Sequence, residues 1–260
     1  MARTAVRRRL RWRLATVATN TSEARAVHRL SLQIDDWDGH LPGQHVDVRL
    51  TAPDGYQAQR SYSIASAPES PTVDLVVQRL DDGEVSPYLT DGLRAGDRLE
   101  LRGPIGGYFV WHAELDAPLQ LVAGGSGIAP FLAMLDHHAA TGSGAPARLL
   151  YSARTLDDVI GRARLEQHSA RGIGVTIALT RQQPPGWAGL SGRLTPQTIR
   201  EHVWPVDQLP NIFVCGATTF VEAVADSLVE AGHPAAAIRI ERFGDVEGAG
   251  RDSGVPTTRR

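Results

Sequence analysis

Hydrophobic positions along this chain change their period partway through. Up to about Trp111, apolar and polar residues alternate over short runs, as they do in half-buried strands. Arg11–Ala18, Ala26–Ile34, His45–Leu50, Arg60–Ser66, Val73–Arg79 and Arg98–Arg102 read as strands. Asp38-Gly39, Pro53-Asp54-Gly55, Asp82-Gly83 and Ala95-Gly96-Asp97 supply the turns between them. Strands of this number and spacing predict a small antiparallel barrel, with one short helical turn at Ser86–Asp91. From Leu119 onward, apolar strands alternate with helices. The strands are Leu119–Ala123, Ala147–Tyr151, Val175–Thr180, Ile212–Cys215 and a last one within Arg239–Gly244. That alternation predicts a parallel sheet covered on both faces.

The helices carry their own punctuation. Pro130 suits a helix start, where its missing N–H has no acceptor to lose. Phe220, Val221, Val224, Ala225, Leu228 and Val229 form one helical face that stops at Gly232. The expected organisation is a basic arm at 1–10, a barrel domain at 11–114, an α/β domain at 115–244 and a mobile tail at 245–260.

Composition narrows the functional classes. With 260 residues, 42% hydrophobic and 22% charged, the chain can bury the cores of two ordinary domains. A formal net charge of -2 gives no reason to expect nucleic acid or an anionic membrane as partner. The single cysteine, Cys215, excludes an internal disulfide and a four-thiolate iron–sulfur cluster within these residues. The basic start, MARTAVRRRLRWRL, lacks the apolar run of a secretory signal, since Thr16, Thr19, Asn20 and Thr21 interrupt it. No stretch is long enough to span a membrane, and no metal-ligand cluster stands out. A cytoplasmic protein is expected.

Two segments carry the candidate chemistry. Arg60-Ser61-Tyr62-Ser63 offers a guanidinium for phosphate, a phenol ring to lie against a planar ligand, and two hydroxyls on an extended backbone. Gly124-Gly125-Ser126-Gly127-Ile128-Ala129-Pro130 is a glycine turn between an apolar strand and a helix. There the backbone can approach a dinucleotide, and the helix start favours negative charge. Val77-Gln78-Arg79 followed by Gly83-Glu84-Val85-Ser86 gives a strand and a second phosphate-sized turn, and Gly103-Pro104-Ile105-Gly106-Gly107-Tyr108-Phe109 ends the barrel. Taken singly, each piece is as ordinary as any barrel strand or turn.

In this order, with Leu41-Pro42-Gly43-Gln44 upstream and Cys215-Gly216 downstream, they resemble the ferredoxin–NADP reductase family of flavoproteins. The resemblance implies a six-stranded antiparallel Greek-key β-barrel for the flavin, followed by an α/β domain with a five-stranded parallel sheet for the nicotinamide dinucleotide. It implies that Arg60, Ser61, Tyr62, Ser63, Val77, Gln78, Arg79, Gly83, Glu84, Val85, Ser86 and Phe243 hold FAD, although an FMN branch shares the strand motif. Gly125, Ser126, Gly127, Ile128, Ser152, Cys215 and Gly216 would receive NADP(H). Arg154, Arg181 and Arg193 would bind its 2′-phosphate, so NADP(H) is preferred over NAD(H), while Asp157 and Asp158 would favour the opposite choice. Ser63, Cys215 and Glu241 would form the reaction centre. Tyr108 stands where the family usually has Phe, and Phe243 where it usually has Tyr. The implied activity is hydride transfer from NAD(P)H to FAD, then electron delivery to a separate protein such as a ferredoxin or another redox subunit. A reductase of small acceptors (soluble flavin, ferric chelate or quinone) and a non-catalytic nucleotide-binding module are the alternatives.

Overall fold

The computed structural model describes residues 10–243. The expected arm up to residue 9 and the expected tail at 245–260 lie outside the described residues, as does Gly244.

Six antiparallel strands form the first unit: β1 (Trp12–Ala24), β2 (Val27–Ile34), β3 (His45–Thr51), β4 (Gln57–Ser63), β5 (Val73–Gln78) and β6 (Arg98–Ile105). Their order is β4-β3-β6-β1-β2-β5, a Greek key. The barrel closes where Ile64, just past β4, bridges Leu75 of β5. Inward residues such as Leu30, Leu32, Val46, Val48, Leu75, Val77 and Leu101 fill it. Burial of each side chain of this kind contributes about 1.5–3 kcal/mol.

The fourth strand sits three residues earlier than its expected position at Arg60–Ser66. The reason is the bend after Ser63, where backbone pairing passes from β3 to β5: Ile64 N–H donates to Gln44 O and Ala65 N–H to Asp74 O. The helical turn after Ser86 widens into a π-turn at Tyr88–Gly92. The Asn20 side-chain amide compensates, donating to the carbonyls of Leu89, Thr90 and Leu93 at 3.1, 3.1 and 2.9 Å.

The second unit is a parallel sheet of β7 (Leu119–Gly124), β8 (Ala147–Ala153), β9 (Gly174–Leu179), β10 (Leu190–Ser191), β11 (Asn211–Ala217) and β12 (Ile238–Phe243). Its order is β10-β9-β8-β7-β11-β12, so the sheet has six strands rather than the five expected. The extra strand is a two-residue edge piece, too short to leave a periodicity in the sequence. Helices α1 (Ala129–Thr141) and α2 (Arg162–Ala170) cover one face. Helices α3 (Pro196–His202) and α4 (Thr218–Glu230) cover the other. Alternation along the central strands feeds both faces: Leu121 and Phe213 meet the first layer, Val122 and Val214 the second.

The order of the strands decides where a ligand can sit. From β7 the chain winds outward through β8, β9 and β10, then returns to β11 on the other side of β7. The strand direction of travel therefore reverses between β7 and β11, and the crevice at their carboxyl ends is the switch point where open α/β sheets bind ligands. The barrel is docked on this sheet through shared core. Val27, Ala65, Val76, Phe109 and Trp111 pack in one cluster with Phe131, Met134 and Phe213. Phe109 meets the Phe213 ring edge-on at 5.2 Å.

Candidate active site at the domain seam

A cleft of about 1000 Å³ runs between the barrel and the carboxyl ends of β7, β8, β11 and β12. Its barrel wall contains Arg60, Ser61, Tyr62 and Ser63 of β4, Gln78 of β5 and the Gly83–Ser86 turn. Tyr62 is half-buried, and burial pushes its phenol up to about 12 despite the nearby Arg60 cation. The ring is therefore an uncharged aromatic surface at any physiological pH. Ser61 donates to Asp47 at 2.6 Å, and Arg102 closes on the other carboxylate oxygen at 2.7 Å. Burial alone would raise the Asp47 carboxyl, but these two hydrogen bonds outweigh it and hold the group below its ordinary value. Arg60 reaches back to Glu84 at 3.1 Å, and Tyr56 donates its hydroxyl to the same carboxylate at 2.8 Å. Ser86 Oγ accepts the Leu80 N–H at 3.0 Å and so fixes the turn.

Three residues scattered along the sequence converge beneath this cleft and form its floor: Ser63 lines it, whereas Cys215, which is fully buried, its neighbour Gly216 and Glu241 stand outside the lining. Cys215 of β11 lies opposite Glu241 of β12 in parallel register. Ser63 arrives from the barrel and donates to Glu241 Oε2 at 3.4 Å, while Cys215 Sγ stands 4.0 Å from the same oxygen. Burial pushes the Glu241 carboxyl up to about 7, partly opposed by the Ser63 hydroxyl. Burial, and then the neighbouring Glu241, push the Cys215 thiol well up, so it is a neutral S–H rather than a nucleophilic thiolate. The group set is a hydroxyl, a thiol and a carboxyl poised to gain or lose a proton near neutral pH.

Glycine makes this convergence possible. A Cβ on Gly127 would stand 2.3 Å from the Cys215 carbonyl oxygen, so the turn after β7 can lie against β11 only without a side chain. Gly125, at φ +56°, has open space around its missing side chain on the cleft wall. Phe220 of α4 lies across Gly124 and Gly216, within 2.7 and 2.8 Å of where their Cβ atoms would be, and lines the cleft beside Gly124.

The three candidate arginines lie at adjacent strand ends. Ala153, Leu179 and Ser191 form one row across β8, β9 and β10. Arg154 follows that row by one residue, Arg181 and Arg193 by two. All three are exposed, and none makes an ion pair among the described residues. Arg154 and Ser152 line the cleft; Arg181 and Arg193 stand outside its lining. Asp157 and Asp158 are already engaged. Asp158 accepts from the Thr155 N–H and hydroxyl at 3.0 and 2.7 Å, and both carboxylates face Arg25 of the barrel.

Other expected residues point elsewhere. The Val77 side chain is fully buried in the barrel core, because its neighbours Val76 and Gln78 take the cleft face of β5. The Arg79 guanidinium turns away to Asp91 and Asp81, so any contribution of these two to the cleft is through backbone. Ile128 and Gly127 lie beneath the turn, whose exposed wall is Gly125 and Ser126. Phe243 is half-buried and lines the cleft. Arg25, Phe220 and Arg242 also line it; of these the sequence marked only Phe220, and as part of an apolar helical face rather than of the site. Gly124 and Gly216, both at strand ends, were the available signal for an aromatic packed between them. For Arg25, in a short hairpin, there was none.

The residues fit the groups the fold calls for. The cleft is at the upper end of ligand-pocket volumes, which suits dinucleotides better than a small metabolite. A neutral aromatic face, an arginine and a serine-fixed turn line one wall, and an open glycine turn lines the other. This combination of antiparallel barrel, switch-point crevice and shared floor defines a two-domain flavin- and pyridine-nucleotide-binding oxidoreductase.

Comparison with known proteins agrees. The model of the oxidoreductase FAD-binding domain matches residues 14–110, and that of the oxidoreductase NAD-binding domain matches residues 121–226. The chain is 36% identical over 228 residues to ferredoxin–NADP reductase B of Sorangium cellulosum, covering 84% of this chain and 91% of that one. It belongs to the ferredoxin–NADP reductase-like family of FAD-dependent NAD(P)H oxidoreductases. A second relative is the glycine betaine monooxygenase reductase subunit of Chromohalobacter salexigens, 34% identical over 208 residues. That match covers 78% of this chain but 56% of the subunit, so the chain spans little more than half of that relative's length. The ferredoxin NADP+ reductase of Neisseria gonorrhoeae, solved with bound FAD and NADP, superposes with a TM-score of 0.77. At 19% identity over 89% of this chain and 98% of that one, it shows the shared fold.

Proposed function

We propose that this protein takes reducing equivalents from NADPH into FAD and delivers them to a separate redox protein. The observation that carries the reading is that Ser63, lining a cleft whose walls come from both domains, meets Cys215 and Glu241 just beneath that lining. FAD, when bound, supplies the ring that accepts hydride and releases electrons. The protein's share is position and protonation. Arg60, the Gly83–Ser86 turn and the Tyr62 ring hold and flank the flavin. Gly125, Ser126 and the start of α1 seat the dinucleotide, and Phe243 and Phe220 limit the space above the floor. Cys215, neutral and buried beneath the lining, would help shape the seat of the nicotinamide without attacking it. Ser63 fixes Glu241, whose carboxyl near pH 7 can hold or yield a proton at the cleft floor.

NADPH is favoured over NADH because Arg154, Arg181 and Arg193 make no ion pair among the described residues and stand at adjacent strand ends, whereas Asp157 and Asp158 are occupied. A separate acceptor is favoured because these 260 residues hold a single cysteine, too few for a four-thiolate cluster, and because relatives are named a glycine betaine monooxygenase reductase subunit and a toluate 1,2-dioxygenase electron transfer component. The buried free thiol is compatible with a cytoplasmic setting.

The deciding experiment is an anaerobic titration of the yellow purified protein with NADPH and with NADH, followed by mixing with candidate acceptors. Bleaching by NADPH at lower concentration than NADH, then recolouring by a ferredoxin or oxygenase component faster than by free flavin or ferric chelate, supports the reading. A colourless protein that takes up no flavin ends it.

A further inference from the structure

Arg25 sits in the hairpin between β1 and β2 of the barrel, yet it reaches the loop after β8 on the other domain. Its N–H donates to the Asp157 carbonyl at 2.9 Å. Its guanidinium lies 3.4 Å from the Asp157 carboxylate and 3.8 Å from that of Asp158. The same loop carries Arg154, and Arg25, Arg154 and Asp158 line one cleft. Left alone, the segment Arg154–Asp158 has one net negative charge; with Arg25 it is neutral.

We propose that Arg25 is a coenzyme-selectivity residue supplied by the barrel domain, which neutralises Asp157 and Asp158 and so admits a phosphate-bearing ribose beside Arg154. This rests on the cleft being the pyridine-nucleotide site. Two uncompensated carboxylates at that rim would repel a 2′-phosphate and accept hydrogen bonds from a free ribose hydroxyl. Arg25 removes both effects at once. Stability does not explain the contact. Asp157 is 75% and Arg25 64% exposed, and pairs this open contribute little to folding. The arrangement also makes selectivity depend on domain docking, since the masking charge and the masked charges belong to different units.

The test measures binding of NADP+ and NAD+ to the purified flavoprotein by calorimetry. Arg25→Ala should weaken NADP+ by about tenfold, the size of one unit-charge interaction at a solvated rim, and leave NAD+ unchanged or up to a few-fold tighter, since the freed carboxylates can accept from its ribose hydroxyls. Arg25→Lys, which keeps the charge, should retain most of the wild-type ratio. Adding Asp157→Asn and Asp158→Asn to Arg25→Ala should restore NADP+ binding, because asparagine can still accept the Thr155 hydrogen bonds. Equal weakening of both nucleotides by Arg25→Ala would reduce Arg25 to a domain anchor and overturn the proposal. An unrestored triple variant would also overturn it, since Arg25 would then act other than through the aspartates. A wild-type protein that prefers NAD+ would defeat the NADPH reading instead; the change in ratio caused by Arg25→Ala remains measurable from either starting point.

Discussion

Replacing Glu241 with glutamine isolates the electrostatics of the cleft floor. The Glu241 carboxyl is raised from 4.5 to about 7, with burial as the cause. A folded-state value above the unfolded one means that the native protein holds the proton more tightly than the unfolded chain. Stability from this group is therefore complete below about pH 4.5, declines between there and 7, and is lost above 7. At 1.36 kcal/mol for each pH unit, the rise from 4.5 to about 7 corresponds to at most about 3–4 kcal/mol, less where water reaches the partly exposed side chain. Glu241→Gln keeps the shape and cannot ionise. Urea unfolding at fixed FAD concentration from pH 5 to pH 9 should show the variant near wild type at pH 5 and more stable at pH 8–9, with the gap opening through pH 6–7. Using the difference between the two proteins cancels the other shifted groups, including His40, His45 and Asp47. If Glu241 also handles the proton, the pH profile of flavin reduction should lose its inflection near 7 in the variant. A stability gap that stays constant with pH, or a variant less stable at high pH, would refute the burial argument.

Three further outcomes are expected. Ser63→Ala removes a hydrogen bond to a carboxyl group and should slow stopped-flow reduction by NADPH about 10–100-fold while flavin stays bound; an unchanged rate would remove Ser63 from the reaction centre. Arg154→Ala with Arg181→Ala should raise the Michaelis constant for NADPH on the order of a hundredfold, leaving that for NADH within a few-fold; equal small changes would cancel the 2′-phosphate assignment. Gly127→Ala places a Cβ 2.3 Å from a backbone carbonyl that cannot rotate away, so thermal unfolding should show a loss of about 3 kcal/mol or more, or no folded protein; near wild-type stability would mean that the turn is not packed as described.

How much of this was readable in the sequence depends on the range over which each signal acts. Barrel strands alternate because one face is buried, and the central α/β strands are continuously apolar because both faces are; these are local patterns, and both domains follow from them. Misplacement begins where tertiary context takes over. β4 ends at Ser63, not Ser66, because Ile64 must cross to β5 to close the barrel, and nothing in Ile64-Ala65-Ser66 encodes that bend. β10 is held by pairing of Leu190 and Ser191 with β9, with no periodicity of its own. For the site, Arg60–Ser63 and the Gly125–Pro130 turn were visible as motifs. That Ser63 should meet a carboxylate 178 positions away was available only through resemblance to a family, since no local rule relates them. Arg25 lacked even that, being a lone cation whose partners lie 132 and 133 residues on.

The long-range character of the floor has a mechanical consequence. Ser63 belongs to the barrel, Cys215 and Glu241 to the sheet, so the 3.4 Å between Ser63 and Glu241 is set by how the two units dock, while the 4.0 Å between Cys215 and Glu241 comes from the register of β11 and β12. The docking is apolar and stiff: Phe109 lies against Phe131 and Phe213, and Trp111 is enclosed between His137 and His138 of α1. Polar ties surround it. Glu69 of the barrel meets His137 at 2.7 Å, and Arg164 of α2 donates to the Ala65 carbonyl at 3.0 Å while pairing with Asp136. Hydride transfer depends on alignment to fractions of an ångström, and a close-packed aromatic seam holds that alignment better than loops would. The position of the site at the seam thus follows from its chemistry. Two nucleotides must meet face to face, each needs its own fold to bind it, and the meeting point has to be where those folds are locked together.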